Sequence, residues 1–201
     1  MTREPMIDEP RRINPLLRLG IRFSDRVTGR RMVPARLLAW YPRAAVGAGV
    51  LESLIAHDEP SPRLLKLIRI TASLATSCPF CVDMNSHEWR AAGVTDDELA
   101  GLQRWLGGLD DAPPATLDPS ESVAVRYTRA LSATPVEIPD ALRDELTAAF
   151  SEREVVIVVT TSAQVNFWAR TIAGLGIPAA GFCQLPSAGE HRRTPPVSDH
   201  D

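Results

Sequence analysis

Cysteine is scarce in this sequence, three residues in 201, and the count is odd. That excludes a small scaffold stapled by disulfides and leaves redox or metal chemistry as the use of any close pair. Charge of one sign is lacking too. Lys and Arg number 22 against 25 Asp and Glu, a net −3, so the bulk charge does not attract a polyanion. The basic pairs Arg30-Arg31 and Arg192-Arg193 are too short for a nucleic-acid footprint. Long apolar runs are missing as well. Gly47 to Ile55 is short and interrupted by Glu52, so it cannot span a bilayer. Met1 to Asn14 mixes acids, arginines and prolines, which is no signal core, so the expected location is the cytoplasm. Aromatics make up only 5%, and Trp40, Trp89, Trp105 and Trp168 read as core or interface filler. No internal repeat is evident.

What is present is a globular composition, 44% apolar, in a length suited to one domain. Prolines and charges make residues 1–15 an extended N-terminal arm, and Pro, Ser, His and charge make 187–201 a disordered tail. Residues 16–186 read as a helical domain of about eight helices. Pro34 to Trp40 and Pro42 to His57 form two helices divided at Pro42. Ser61-Pro62 starts the next, whose residues Leu64, Leu65, Leu67, Ile68, Ile70 and Leu74 give a broad apolar face. Thr95-Asp96-Asp97-Glu98 is a capping box for a helix to Leu106, and Asp118-Pro119 opens one to Leu131. Pro139 to Phe150 is a shorter amphipathic helix. Ser151 to Glu154 is a second capping box, for a helix running to Gly174. The β-branched run Val155 to Val159 would suit a strand, but no partner strand exists for it.

The chemistry centres on Cys78-Pro79-Phe80-Cys81. Pro79 favours the first helical turn, so a helix is expected from Cys78 to Ala92, with Gly93 as its stop. Cysteines in a first turn lie near unpaired amides that favour the thiolate, and this spacing puts both sulfurs within disulfide reach. At about 100° per residue, Asn85 falls roughly 20° from Cys78 and 40° from Cys81, and Glu88 falls near Cys81 one turn on. His87, about 180° from Cys78, points away by the same count. Lys66 and Arg69, on the preceding helix, would lower a thiol pKa if they face the pair.

The stretch LLKLIRITASLATSCPFCVDMNSHEWRAAG, Leu64 to Gly93, followed by Val94-Thr95-Asp96-Asp97-Glu98-Leu99, resembles the core of the alkylhydroperoxidase D and carboxymuconolactone decarboxylase family. Asn166-Phe167-Trp168-Ala169-Arg170 resembles the family's later asparagine-bearing helix. The resemblance implies an all-α, oligomeric protein and, in the peroxidase branch, a cycle without cofactor or metal. By that resemblance Cys81 attacks a peroxide and Cys78 resolves the sulfenic acid, and an external dithiol reduces the disulfide. That branch carries a histidine four residues after the second cysteine and a glutamate twelve before the first. Asn85 and Lys66 stand there in this chain, so the usual proton relay is replaced.

Four other readings stay open. The pair can be structural or redox-sensing in a non-enzymatic helical oligomer. CPFC also occurs in glutaredoxin-like sites, which need a strand before the motif. Zinc would need two further ligands, for which Cys183 and His87 are the obvious candidates, and Cys183 otherwise reads as a passive thiol. Decarboxylating relatives need no CxxC pair.

Overall fold

Residues 5–55 and 57–183 are described by a computed structural model of the chain. Among them the secondary structure is entirely helical: α1 Pro15–Thr28, α2 Val33–Leu38, α3 Pro42–Leu54, α4 Pro62–Ala75, α5 Pro79–Asn85, α6 Asp96–Leu106, α7 Pro119–Ser132, α8 Asp140–Ala149 and α9 Glu152–Gly174. The expected tail at 187–201, and the last residues of the expected domain, lie outside the described residues.

The described helices number nine where the sequence predicts about eight, and the addition is α1. Its local signals are complete. Asn14 accepts a hydrogen bond from the Leu16 amide at 2.9 Å, Pro15 occupies the first turn, and Gly29 ends the helix at φ +65°. Its apolar residues Leu16, Leu19 and Phe23 face outward, and Ile21 is the residue it buries. The run Val155 to Val159 is helical within α9, whose capping box forms as expected.

One boundary matters for the site. The helix expected to reach Ala92 stops at Asn85, and residues 86–93 form turns in which Glu88 takes φ +54°. Asn85, Ser86 and His87 are weak helix formers that offer side-chain bonds in place of the ladder. Asn85 is held to α4, and Lys66 takes the His87 carbonyl out of helical pairing.

Helix α4 is the hub, packing against α5, α6, α7 and α9. Three apolar clusters surround it. Leu67 and Ile70 face Trp89, Leu102 and Trp105; Leu64 and Ile68 face Ala124, Leu146 and Val158. The third cluster holds the cysteine pair, at the C-terminal end of α4. Arg63, in the first turn of α4, ties these layers together. Its guanidinium bonds Glu98 and Glu121, each at 2.7 Å, and also the Gly93 carbonyl. Both carboxylates already close capping boxes, with Thr95 and Asp118. One cation therefore fixes the starts of two other helices, α6 and α7.

Candidate functional site

The chain reverses between α4 and α5 through Ser77, a non-glycine residue at φ +50°. The Cys78 amide reaches back to the Ser73 carbonyl at 3.3 Å, which ties the start of the second helix to the last turn of the first. Cys78 is the N-cap of α5, with Pro79 at its first position. Its Sγ accepts from the Cys81 amide at 3.2 Å. Cys78 and Cys81 form a disulfide across a Cα–Cα distance of 5.2 Å. Both sulfur residues are 2% exposed and lie among Met32, Leu37, Phe80, Ile172 and Phe182. A thioredoxin-type site would have a strand before the motif, and α4 stands in that place.

Asn85 lies one turn after Cys81 on the side that α5 turns to α4. Its Nδ2 donates to Ser73 Oγ at 2.9 Å, and Ser73 donates in turn to the Arg69 carbonyl at 2.7 Å. Lys66 is half-buried, and its ammonium donates to the His87 carbonyl at 2.7 Å. Burial, and then the neighbouring Arg69 charge, push the Lys66 pKa below the usual lysine range. Glu88 is not brought to the sulfurs. The wheel that placed it near Cys81 assumed an unbroken helix. With α5 ended at Asn85, the Glu88 side chain is 72% exposed, and its carboxylate lies 3.7 Å from His87 Nε2.

Several residues join the site from distant parts of the chain. Trp168 of α9 packs against the sulfur cluster while its Nε1 donates to Glu52 Oε2 at 3.0 Å. Gln164 donates to the same oxygen at 2.7 Å. Arg69 lies beside this group, attracted by Glu52 and 3.3 Å from His57 Nδ1, and burial lowers its pKa. Glu52 thus gathers Gln164 and Trp168 behind the sulfur cluster, while Ser73 joins Asn85 to the α4 backbone. Glu52 shows in the sequence as the residue that interrupts the apolar run Gly47 to Ile55.

Asp83, two residues past Cys81 and buried, is the second addition. Its Oδ2 accepts from the Ala180 and Gly181 amides at 2.9 and 2.6 Å, and its Oδ1 from the Cys183 amide at 2.8 Å. Cys183 donates its thiol to the Asp83 carbonyl at 3.3 Å. Burial, then the Asp83 charge, raise the Cys183 pKa above the usual thiol range, and Lys66 partly offsets this. Among the described residues no group of three or more His, Cys, Asp or Glu is arranged to hold a metal ion. No described helix is long and apolar enough to cross a membrane.

A sequence model of the Carboxymuconolactone decarboxylase family matches residues 44–116, which include α4, the disulfide and α6. Protein YnjA of Escherichia coli is 30% identical over 138 residues, spanning 69% of this chain and 71% of YnjA. Two solved structures share the fold. One is a variant of the debrominase Bmp8 in complex with 2,3,4-tribromopyrrole, at a TM-score of 0.71 and 19% identity, covering 92% of this chain and 95% of that one. The other is a peroxidase-related protein from Ralstonia eutropha, described as an alkylhydroperoxidase AhpD core. Its TM-score is 0.71 at 14% identity, over 89% of this chain and 94% of that one.

Proposed function

The chain belongs to the carboxymuconolactone decarboxylase family, and from that premise we propose that it is a peroxidase-like dithiol–disulfide oxidoreductase. The carrying observation is the Cys78–Cys81 disulfide at the opening turn of α5. In the reduced enzyme the Cys81 thiolate attacks the outer oxygen of a hydroperoxide. The O–O bond breaks, an alcohol leaves with a proton from solvent, and Cys81 becomes a sulfenic acid. The Cys78 thiolate then attacks that sulfur, forming the disulfide, and the hydroxide that leaves takes a proton from solvent to become water. The Cys81 amide, placed on Cys78 Sγ, favours the anionic form that this second step needs. An external dithiol of a reducing cytoplasm returns both sulfurs to the thiol state by exchange. A disulfide substrate would be reduced by the same two electrons.

Asn85 cannot carry a proton, so in this reading it orients: its bond to Ser73 fixes α5 against the end of α4. Lys66 contributes positive charge at the turn behind α5 and is a poor base while charged. Glu88 has no part in the step. The outward apolar residues of α1, together with Val46, Val50 and Leu54 of α3, support assembly with further copies of the chain.

The test is turnover of hydrogen peroxide and of an organic hydroperoxide with dithiothreitol, with 2,3,4-tribromopyrrole as a third arm. Cys81→Ser and Cys78→Ser should each lose activity by at least about a hundredfold, the scale on which removal of a covalent nucleophile is felt. Equal rates in wild type and both variants would end the enzymatic reading. Burial of the sulfurs favours one alternative, a non-enzymatic oligomer whose pair senses redox state or packs. Stoichiometric disulfide formation under mild oxidant, without turnover, would establish that alternative instead.

A further inference from the structure

Sulfurs that are 2% exposed cannot meet a substrate or a reductant in the conformation described. What stands over them differs in how firmly it is built in. On most sides the cover is helix: α2, the last turns of α9, and Phe80 of α5 itself. On one side it is the non-helical strap Ala180–Cys183, which places Phe182 in the sulfur cluster. Phe182 meets the edge of Phe80 at a centroid distance of 6.2 Å and lies 6.0 Å from the His87 ring. The strap's amides are held chiefly by one side chain, since the Asp83 carboxylate takes three of them. Gly181, at φ +76°, gives the strap a joint beside Phe182 that a side-chain-bearing residue would resist.

Behind Phe182 lies a cleft of about 390 Å³, between the end of α1 and the turn after α5. Its wall includes Val27, Met84 and Phe182, with Arg26 and Glu88 adding charges of opposite sign. Met84 and Phe182 also pack on the sulfur cluster, so these two side chains separate the cleft from the disulfide. The volume suits a small organic molecule.

We propose that this cleft admits a small peroxide or disulfide, and that the Ala180–Cys183 strap is its gate. Phe182 is the door and Asp83 the positioning residue that latches it. The proposal rests on the reading that the sulfurs react with a partner molecule. Its test reads chemical reduction of the disulfide, so absence of peroxidase turnover leaves the result interpretable.

The measurement is the second-order rate constant for reduction of the Cys78–Cys81 disulfide by dithiothreitol in the folded full-length protein, quenched by alkylation and read by mass. Phe182→Ala should raise it about tenfold or more, and Asp83→Asn, which keeps the size and removes the charge from the latch, severalfold. Phe182→Leu serves the same purpose should the alanine variant fold poorly. Thr28→Trp, which fills the cleft from α1, should slow reduction about fivefold even in the Phe182→Ala background. Leu146→Ala, in the core between α7 and α8, loosens the protein away from the strap and should leave the rate unchanged. The proposal is overturned if the strap variants react at the wild-type rate, if Leu146→Ala accelerates reduction as much as they do, or if Thr28→Trp has no effect.

Discussion

Asn85 and Lys66 mark where this chain handles protons differently from the peroxidase branch that it resembles. Asn85 carries no proton and Lys66 is a poor base while charged, so transfer to the leaving oxygen falls to solvent. Restoring the pattern with Asn85→His and Lys66→Glu together should raise hydroperoxide turnover by at least about tenfold, the lower end of what a positioned acid–base group contributes. Steady-state kinetics with dithiothreitol checks this, and an unchanged rate would count against a role for the missing relay. The cysteine pair itself was legible, because Cys78, Pro79 and the first-turn amides are neighbours in sequence and obey local rules. Asp83 was not legible. Its partners are the amides of Ala180, Gly181 and Cys183, about a hundred positions on, and nothing near Asp83 in sequence distinguishes it from a solvated acid. Glu88 was misplaced because a helical wheel has no term for where the helix ends.

At the level of elements, the junction at Arg63 is the strongest electrostatic feature. Its hydrogen bonds hold the Glu98 carboxyl below the usual range, against the opposing effect of burial, and they raise the Arg63 pKa in turn. A carboxyl whose folded pKa is depressed adds stability above its unfolded pKa, and this is lost as pH falls through the folded value. Resistance to urea should therefore be level near neutrality and decline from about pH 5 downward. Arg63→Met leaves two inward-facing carboxylates without their cation. It should cost about 3 kcal/mol at pH 7 and less at pH 4, where protonation relieves the unpaired charge. Urea denaturation of both proteins at the two pH values measures the difference. The capping boxes that Arg63 joins were readable from spacing alone, whereas the ion pairs depend on how α4, α6 and α7 stack. Helix α1 is hard to read for a related reason: most of its apolar residues face away from this chain's core, which takes only Ile21 from it.

For the molecule as a whole, those outward apolar residues matter most. Leu16, Leu19 and Phe23 of α1 and Val46, Val50 and Leu54 of α3 leave an apolar surface that a lone copy would present to water. Sedimentation equilibrium should give a mass that is a multiple of 21.9 kDa, and Leu19→Asp with Phe23→Asp should reduce it toward one copy. Wild type at a single chain's mass in the tens-of-micromolar range would contradict the proposed assembly.

The position of α4 also limits where the polypeptide can be cut. A fragment ending after α6 would keep the sulfurs and the helices on either side of them. It would strip Arg63 of Glu121 and uncover Leu64 and Ile68, which α7, α8 and α9 normally shield from water. The dithiol motif is therefore not a portable module. Grafting or minimising it must carry the far end of the chain along.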